Sequence, residues 1–67
     1  MLAEIGSIYS YQNDPARLYK VIGTVKIKQE DAWIEYVMYQ NVEGEPENYA
    51  RLPTEFVQKF FKQQDKE

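Results

Sequence analysis

Apolar and polar residues alternate through most of this chain, and a helical spacing replaces the alternation only near its end. Residues Glu4 to Tyr11 alternate loosely and run into Gln12-Asn13-Asp14-Pro15. There the proline fixes φ and the short polar side chains favour a turn. From Arg17 to Lys28 the alternation is regular. It places Tyr19, Val21, Val25 and Ile27 on one face, and Lys20, Thr24, Lys26 and Lys28 on the other. That is the period of a half-buried strand. Gly23 interrupts it and predicts a bulge or bend, since glycine weakens a strand unless the backbone must kink.

The polar connector Gln29-Glu30-Asp31-Ala32 has hairpin length. The next strand, Trp33 to Val42, is apolar on both faces: Trp33, Val37 and Tyr39 on one, Ile34, Tyr36 and Met38 on the other. Such a strand is either covered on both sides or meets something outside the monomer. Glu43-Gly44-Glu45-Pro46-Glu47-Asn48 reads as a loop, and Tyr49 to Leu52 as a short strand. Pro53 then ends the sheet, Thr54 can cap a helix, and Glu55 suits the positive end of its dipole. Phe56, Val57, Phe60 and Phe61 form one helical stripe, with Lys59 and Lys62 toward its C-terminus. Residues 1–62 are expected to form a single domain and Gln63 to Glu67 a polar tail. The fold this predicts is mainly β: a small, SH3-like, partly open barrel of about four to five strands with one short C-terminal helix.

Size changes the picture by limiting stability. A chain of 67 residues buries only about 60% of the surface its unfolded form exposes, and its core supplies about 3–5 kcal/mol. With no cysteine and no histidine, neither disulfides nor the usual zinc sites can reinforce it. Self-association is the remaining device. The broad helix stripe can cap one face, while the second apolar face of Trp33–Val42 stays to be hidden. A symmetric homodimer with Tyr36 or Met38 near its axis is therefore expected.

The aromatic content, dominated by six tyrosines, is that of a folded chain. No apolar run is long enough to span a bilayer or to serve as a signal-peptide core, so no membrane is expected and the cytoplasm is the default location. Eight basic residues against eleven acidic ones leave a net charge of −3, which suits duplex nucleic acid poorly. The charge is uneven: Lys20, Lys26 and Lys28 share one stretch, and Glu43, Glu45 and Glu47 crowd one loop. That acidic loop lacks the regular ligand ladder of a calcium site and reads as solvated turn charge.

From Tyr19 onward the chain resembles a small bacterial and phage family, domain of unknown function 1653. The matching text is Tyr19-Lys20-Val21-Ile22-Gly23, then Met38-Tyr39-Gln40-Asn41-Val42 with Gly44, then Tyr49-Ala50-Arg51-Leu52-Pro53 ahead of Phe56. Tyr9 and Tyr11 stand where the family carries first-strand aromatics. The proline lies one place later than in the family pattern, the aromatic before the arginine is Tyr rather than Trp, and the acidic loop is longer. The resemblance implies a compact bacterial or phage β-domain and assigns no chemistry.

Catalysis is poorly supplied. The common general base and the thiol nucleophile are both missing, and Ser7, Ser10, Thr24 and Thr54 have no activating partner in the sequence. No phosphate or dinucleotide fingerprint occurs. The chain therefore reads as a non-enzymatic interaction module that needs no cofactor and no metal. Trp33, Tyr36, Tyr39 and Tyr49 with Arg51 are the candidate partner-binding residues, since Tyr, Trp and Arg dominate binding hot spots. The same rings could instead fill the core. An alternative is a phage-type accessory factor that binds nucleic acid through Lys20, Lys26 and Lys28, or mimics it through its carboxylates.

Overall fold

A computed structural model describes residues 3–63. Five antiparallel strands form one sheet in the order β4-β3-β2-β1-β5. They are β1 (Ile8–Tyr11), β2 (Asp14–Gln29), β3 (Ala32–Asn41), β4 (Asn48–Arg51) and β5 (Phe60–Lys62), with α1 (Pro53–Lys59) joining β4 to β5. The helix thus links the two edge strands. The sheet curls beneath it into a small SH3-like, partly open barrel with one short helix.

The expected bulge is present, and it reverses the faces. Val21 pairs with Tyr39 but Gly23 pairs with Met38, so Ile22 is an extra residue without a partner on β3. An inserted residue moves everything beyond it to the opposite face of a period-2 strand. Tyr19 and Val21 share the inner face, as expected. Val25 and Ile27 do not join them: they pair with Tyr36 and Ile34 on the outer face. Thr24, Lys26 and Lys28 take the inner side of the same ribbon, opposite Val37, Glu35 and Trp33.

The helix is also shorter than the stripe implied. Leu52 is its N-cap, Pro53 occupies the first helical turn, and no side chain caps it. Thr54 therefore lies inside the helix rather than at its cap; a proline at the first position sacrifices only an N–H that would be orphaned anyway. Phe60 adopts φ −128° and ψ 151°, ending the helix. Phe60, Phe61 and Lys62 then pair with Tyr11, Ser10 and Tyr9. Closing the sheet against β1 overrides the local helical spacing. Gln63 continues this closure, its N–H donating to the Ile8 carbonyl at 2.8 Å; the rest of the expected tail, residues 64–67, lies outside the described residues.

The core is largely aromatic. Tyr9, Tyr39, Phe56 and Phe60 are buried with Val21, Val37 and Ala3. Phe56 and Phe60 stack at 4.4 Å between centroids, and Tyr9 meets Phe56 edge-on at 5.0 Å. Rings fill a core this small with few side chains, each bringing area and a directional contact. From the bulge outward, β2 and β3 run on as a two-stranded ribbon. β1 pairs with β2 only as far as Lys20, and β4 pairs with β3 only from Val37. The molecule is accordingly elongated, 45 × 25 × 21 Å.

Candidate functional site

The loop between β3 and β4 is rich in carboxylates yet well organised, and Asn41 organises it. Its Nδ2 donates to the carbonyls of Glu43 and Glu45 at 2.6 and 2.7 Å. Its Oδ1 accepts from the Glu47 N–H at 2.6 Å. Gly44 turns the chain between them with φ +81°, a conformation that costs a residue with a Cβ. The loop's backbone is thus anchored to the end of β3, and it delivers Tyr49 onto β4.

Tyr49 pairs with Tyr39 across β3 and β4, and their rings stack at 5.4 Å. Tyr39 is buried; Tyr49 is 40% exposed. Tyr19, on β2, presents its edge to both, at 5.4 Å from Tyr39 and 6.0 Å from Tyr49. Tyr11 lies 5.2 Å from Phe60. The Arg51 guanidinium sits over Phe60, 5.6 Å from its centroid, and donates through Nε to the Tyr39 hydroxyl at 2.8 Å. Its Nη1 lies 3.6 Å from Glu55 of the helix.

Around these side chains is a recess of about 190 Å³, lined by Tyr11, Arg17, Tyr19, Tyr49, Arg51 and Phe60 with Tyr39. A second recess of about 390 Å³ shares Arg17, Tyr19 and Tyr49 with it and reaches Ala16, Leu18, Asn41 and Glu43. Together they make one groove, with an aromatic end and a more polar end. Its electrostatics are mixed. Arg17 lies 3.6 Å from Asp14, and both side chains are more than half exposed, so the pair is worth only about 0–1 kcal/mol and is readily exchanged. Burial holds the Tyr39 phenol above its ordinary pKa, opposed in part by the Arg51 hydrogen bond and charge. The Tyr49 hydroxyl donates to Glu47 at 2.7 Å, and that bond leads the upward shift of its pKa.

Three of the five residues singled out from the sequence converge here: Tyr39 as floor, Tyr49 and Arg51 as walls. Trp33 shares their face, opposite Lys28, but stands far out on the ribbon, 64% exposed. Tyr36 lies on the outer face, its hydroxyl accepting from Gln29 Nε2 at 2.8 Å. Tyr11, Arg17, Tyr19 and Phe60 complete the groove and were not among the five. Tyr19 carried a sequence signal in its place on the regular strand. Arg17 carried none, because only curling of the sheet brings the start of β2 beside Tyr49.

Among the described residues no cluster of carboxylates has the form of a metal site, and no helix is long and apolar enough to cross a membrane. Comparison with family models, curated proteins and solved structures finds no match for the chain, and the functional reading rests on the groove itself.

Proposed function

We propose that this protein is a non-enzymatic interaction module whose tyrosine–arginine groove grips an extended segment of a protein partner. The observation that carries this reading is the convergence of Tyr11, Tyr19 and Tyr49 with Arg17 and Arg51 around one open groove. The aromatic recess, about 190 Å³, suits a single partner side chain, and the adjoining recess of about 390 Å³ extends the groove along a chain. The tyrosine faces offer large contact area on stiff side chains, and a guanidinium fork recognises a carboxylate. The segment that fits best has a proline or an aromatic residue next to an acidic one. A bacterial or phage origin, implied by the family resemblance, and a cytoplasmic site of action belong to the same reading.

Selection from a random-peptide display library tests it, using the wild type and the Tyr49→Ala and Arg17→Ala variants. A motif recovered by the wild type and lost by both variants, with NMR shift changes at Tyr11, Tyr19 and Tyr49, supports the proposal. A wild type that selects nothing, or variants that bind its motif equally well, overturns it. The nucleic-acid alternative finds its lysines divided: Lys26 and Lys28 lie on the inner side of the ribbon and Lys20 on the outer, with Glu35 directly across from Lys26. A salt-sensitive gel shift on single-stranded DNA or RNA would favour that alternative instead.

A further inference from the structure

β4 is an outer strand of the sheet, and the direction of bonding along β3 shows which of its backbone groups the sheet leaves unused. The Val42 N–H donates to the Leu18 carbonyl at 3.0 Å, toward β2. Successive residues of a strand bond to opposite sides, and the pairing is regular from Asn41 back to Tyr39. Tyr39 and Val37 therefore bond toward β4, to Tyr49 and Arg51. The N–H and C=O of Asn48 and Ala50 point the other way, into the open edge. Both residues are exposed, and among the described residues no turn or loop backbone group bonds to them.

The other open edges carry charge where this one carries none. By the same count, Thr24, Lys26 and Lys28 face outward on β2 beyond the bulge, and Trp33 and Glu35 on β3. Lys62 stands on β5, where the Phe60 N–H is taken by the Phe56 carbonyl. Charged residues on an edge oppose pairing with another strand. Asn48 and Ala50 are small and uncharged, and Tyr49 and Arg51 beside them wall the groove.

We infer that the partner segment binds as an added antiparallel strand on β4, with an acidic residue opposite Arg51 and an aromatic one opposite Tyr49. This mode rests on the groove being a segment-binding site, and it fixes how the segment lies there. Main-chain bonds to Asn48 and Ala50 hold the segment, and alternate side chains reach the groove. Opposite charges and paired rings across neighbouring strands favour this register. Arg51 meets Glu55 only at 3.6 Å, longer than a hydrogen bond, so its guanidinium has room for a second carboxylate. Antiparallel order makes the motif acid, any residue, aromatic, read from N- to C-terminus. A second copy of β4 does not supply that motif, because Asn48-Tyr49-Ala50-Arg51 contains no acid.

The probe is the end-blocked peptide Thr-Asp-Thr-Tyr-Thr, titrated against the full chain and followed by amide NMR shifts. Its central threonine faces Ala50 and exchanges both main-chain bonds with it. Binding should shift the amides of Tyr49, Ala50 and Arg51. N-methylation of the central threonine removes one of those bonds and should weaken binding about tenfold, the usual worth of such a bond. N-methylation of the peptide's tyrosine, whose N–H points away from β4, should leave the affinity unchanged. On the protein side, Ala50→Pro removes an N–H that the sheet does not use, and proline is tolerated at such an edge position. This variant should melt close to the wild type and lose the peptide.

Equal affinity for the two methylated peptides overturns the added strand, as does an Ala50→Pro variant that folds and binds unchanged. Ring shifts at Tyr11 and Tyr19 that persist in either case leave the groove reading standing. A peptide that shifts nothing also overturns the added strand, and the display selection then decides the groove reading alone. So does a wild type that scatters light at twice the 8.0 kDa of one chain and falls to a single chain in Ala50→Pro, since the β4 edge then belongs to a second copy.

Discussion

Arg51 on β4 donates to the hydroxyl of Tyr39 on β3 at 2.8 Å, although neither is the other's cross-strand partner: Tyr39 faces Tyr49, and Arg51 faces Val37. This diagonal bond gives the one polar atom of a buried ring a partner, and the same guanidinium covers Phe60. The arginine that walls the groove is thus also a lid on the core.

Replacing Tyr39 by phenylalanine keeps the ring and removes the bond. The expected loss is about 1 kcal/mol, the usual net value of a hydrogen bond, read from urea unfolding at neutral pH. The alkaline limb reports the burial of the phenol rather than this bond. Burial, against the smaller pull of Arg51, raises the Tyr39 pKa in the folded state. The stability tied to its neutral phenol is therefore complete below the unfolded value of about 10 and is lost as pH rises through the higher folded value. Tyr39→Phe should flatten the decline above pH 10. A variant that declines as steeply as the wild type would show that another group governs it.

Asn41 uses both amide donors and its carbonyl oxygen on one loop. Asn41→Ala should cost about 1–2 kcal/mol and speed hydrogen exchange at the Glu47 amide through local opening of the loop, while exchange at Val37 in the core rises only as far as that loss of global stability requires. Asn41→Asp should be the worse change. It keeps the acceptor for Glu47, loses the donors, and sets a negative charge against two carbonyls and three nearby glutamates.

Phe56 is fully buried, stacked on Phe60 and edge-on to Tyr9. Truncating such a ring costs about 3–5 kcal/mol, as much as a core of this size supplies. Phe56→Ala should show no cooperative thermal transition. Val57→Ala, one residue along on the exposed side of the helix, should melt within a few degrees of the wild type. A cooperative Phe56→Ala transition near the wild-type temperature would mean that α1 contributes little to the core.

The alternation of residues along Arg17–Lys28 and Trp33–Val42, the turn at Glu30-Asp31 and the proline before a short helix were all legible from the chain. Each is set by local backbone preference and the period of side chains along a strand, so the first four strands, the mainly β fold class and the two faces of β3 follow without tertiary information. The faces of β2 beyond Gly23 could not be read the same way. Glycine marks where a bulge can form, but whether a residue is inserted depends on how β2 and β3 align over their full length, and that insertion alone sends Val25 and Ile27 outward. Phe60 and Phe61 keep helical spacing with Phe56 and Val57. They became strand because pairing with Tyr11 and Ser10 closes the sheet and satisfies backbone groups that one more helical turn would leave beside an open edge. The groove has the same origin. Tyr39, Tyr49 and Arg51 announced themselves by residue type, whereas Arg17 and Tyr11 joined them only because the sheet curls far enough to bring the start of β2 and the end of β1 against β4.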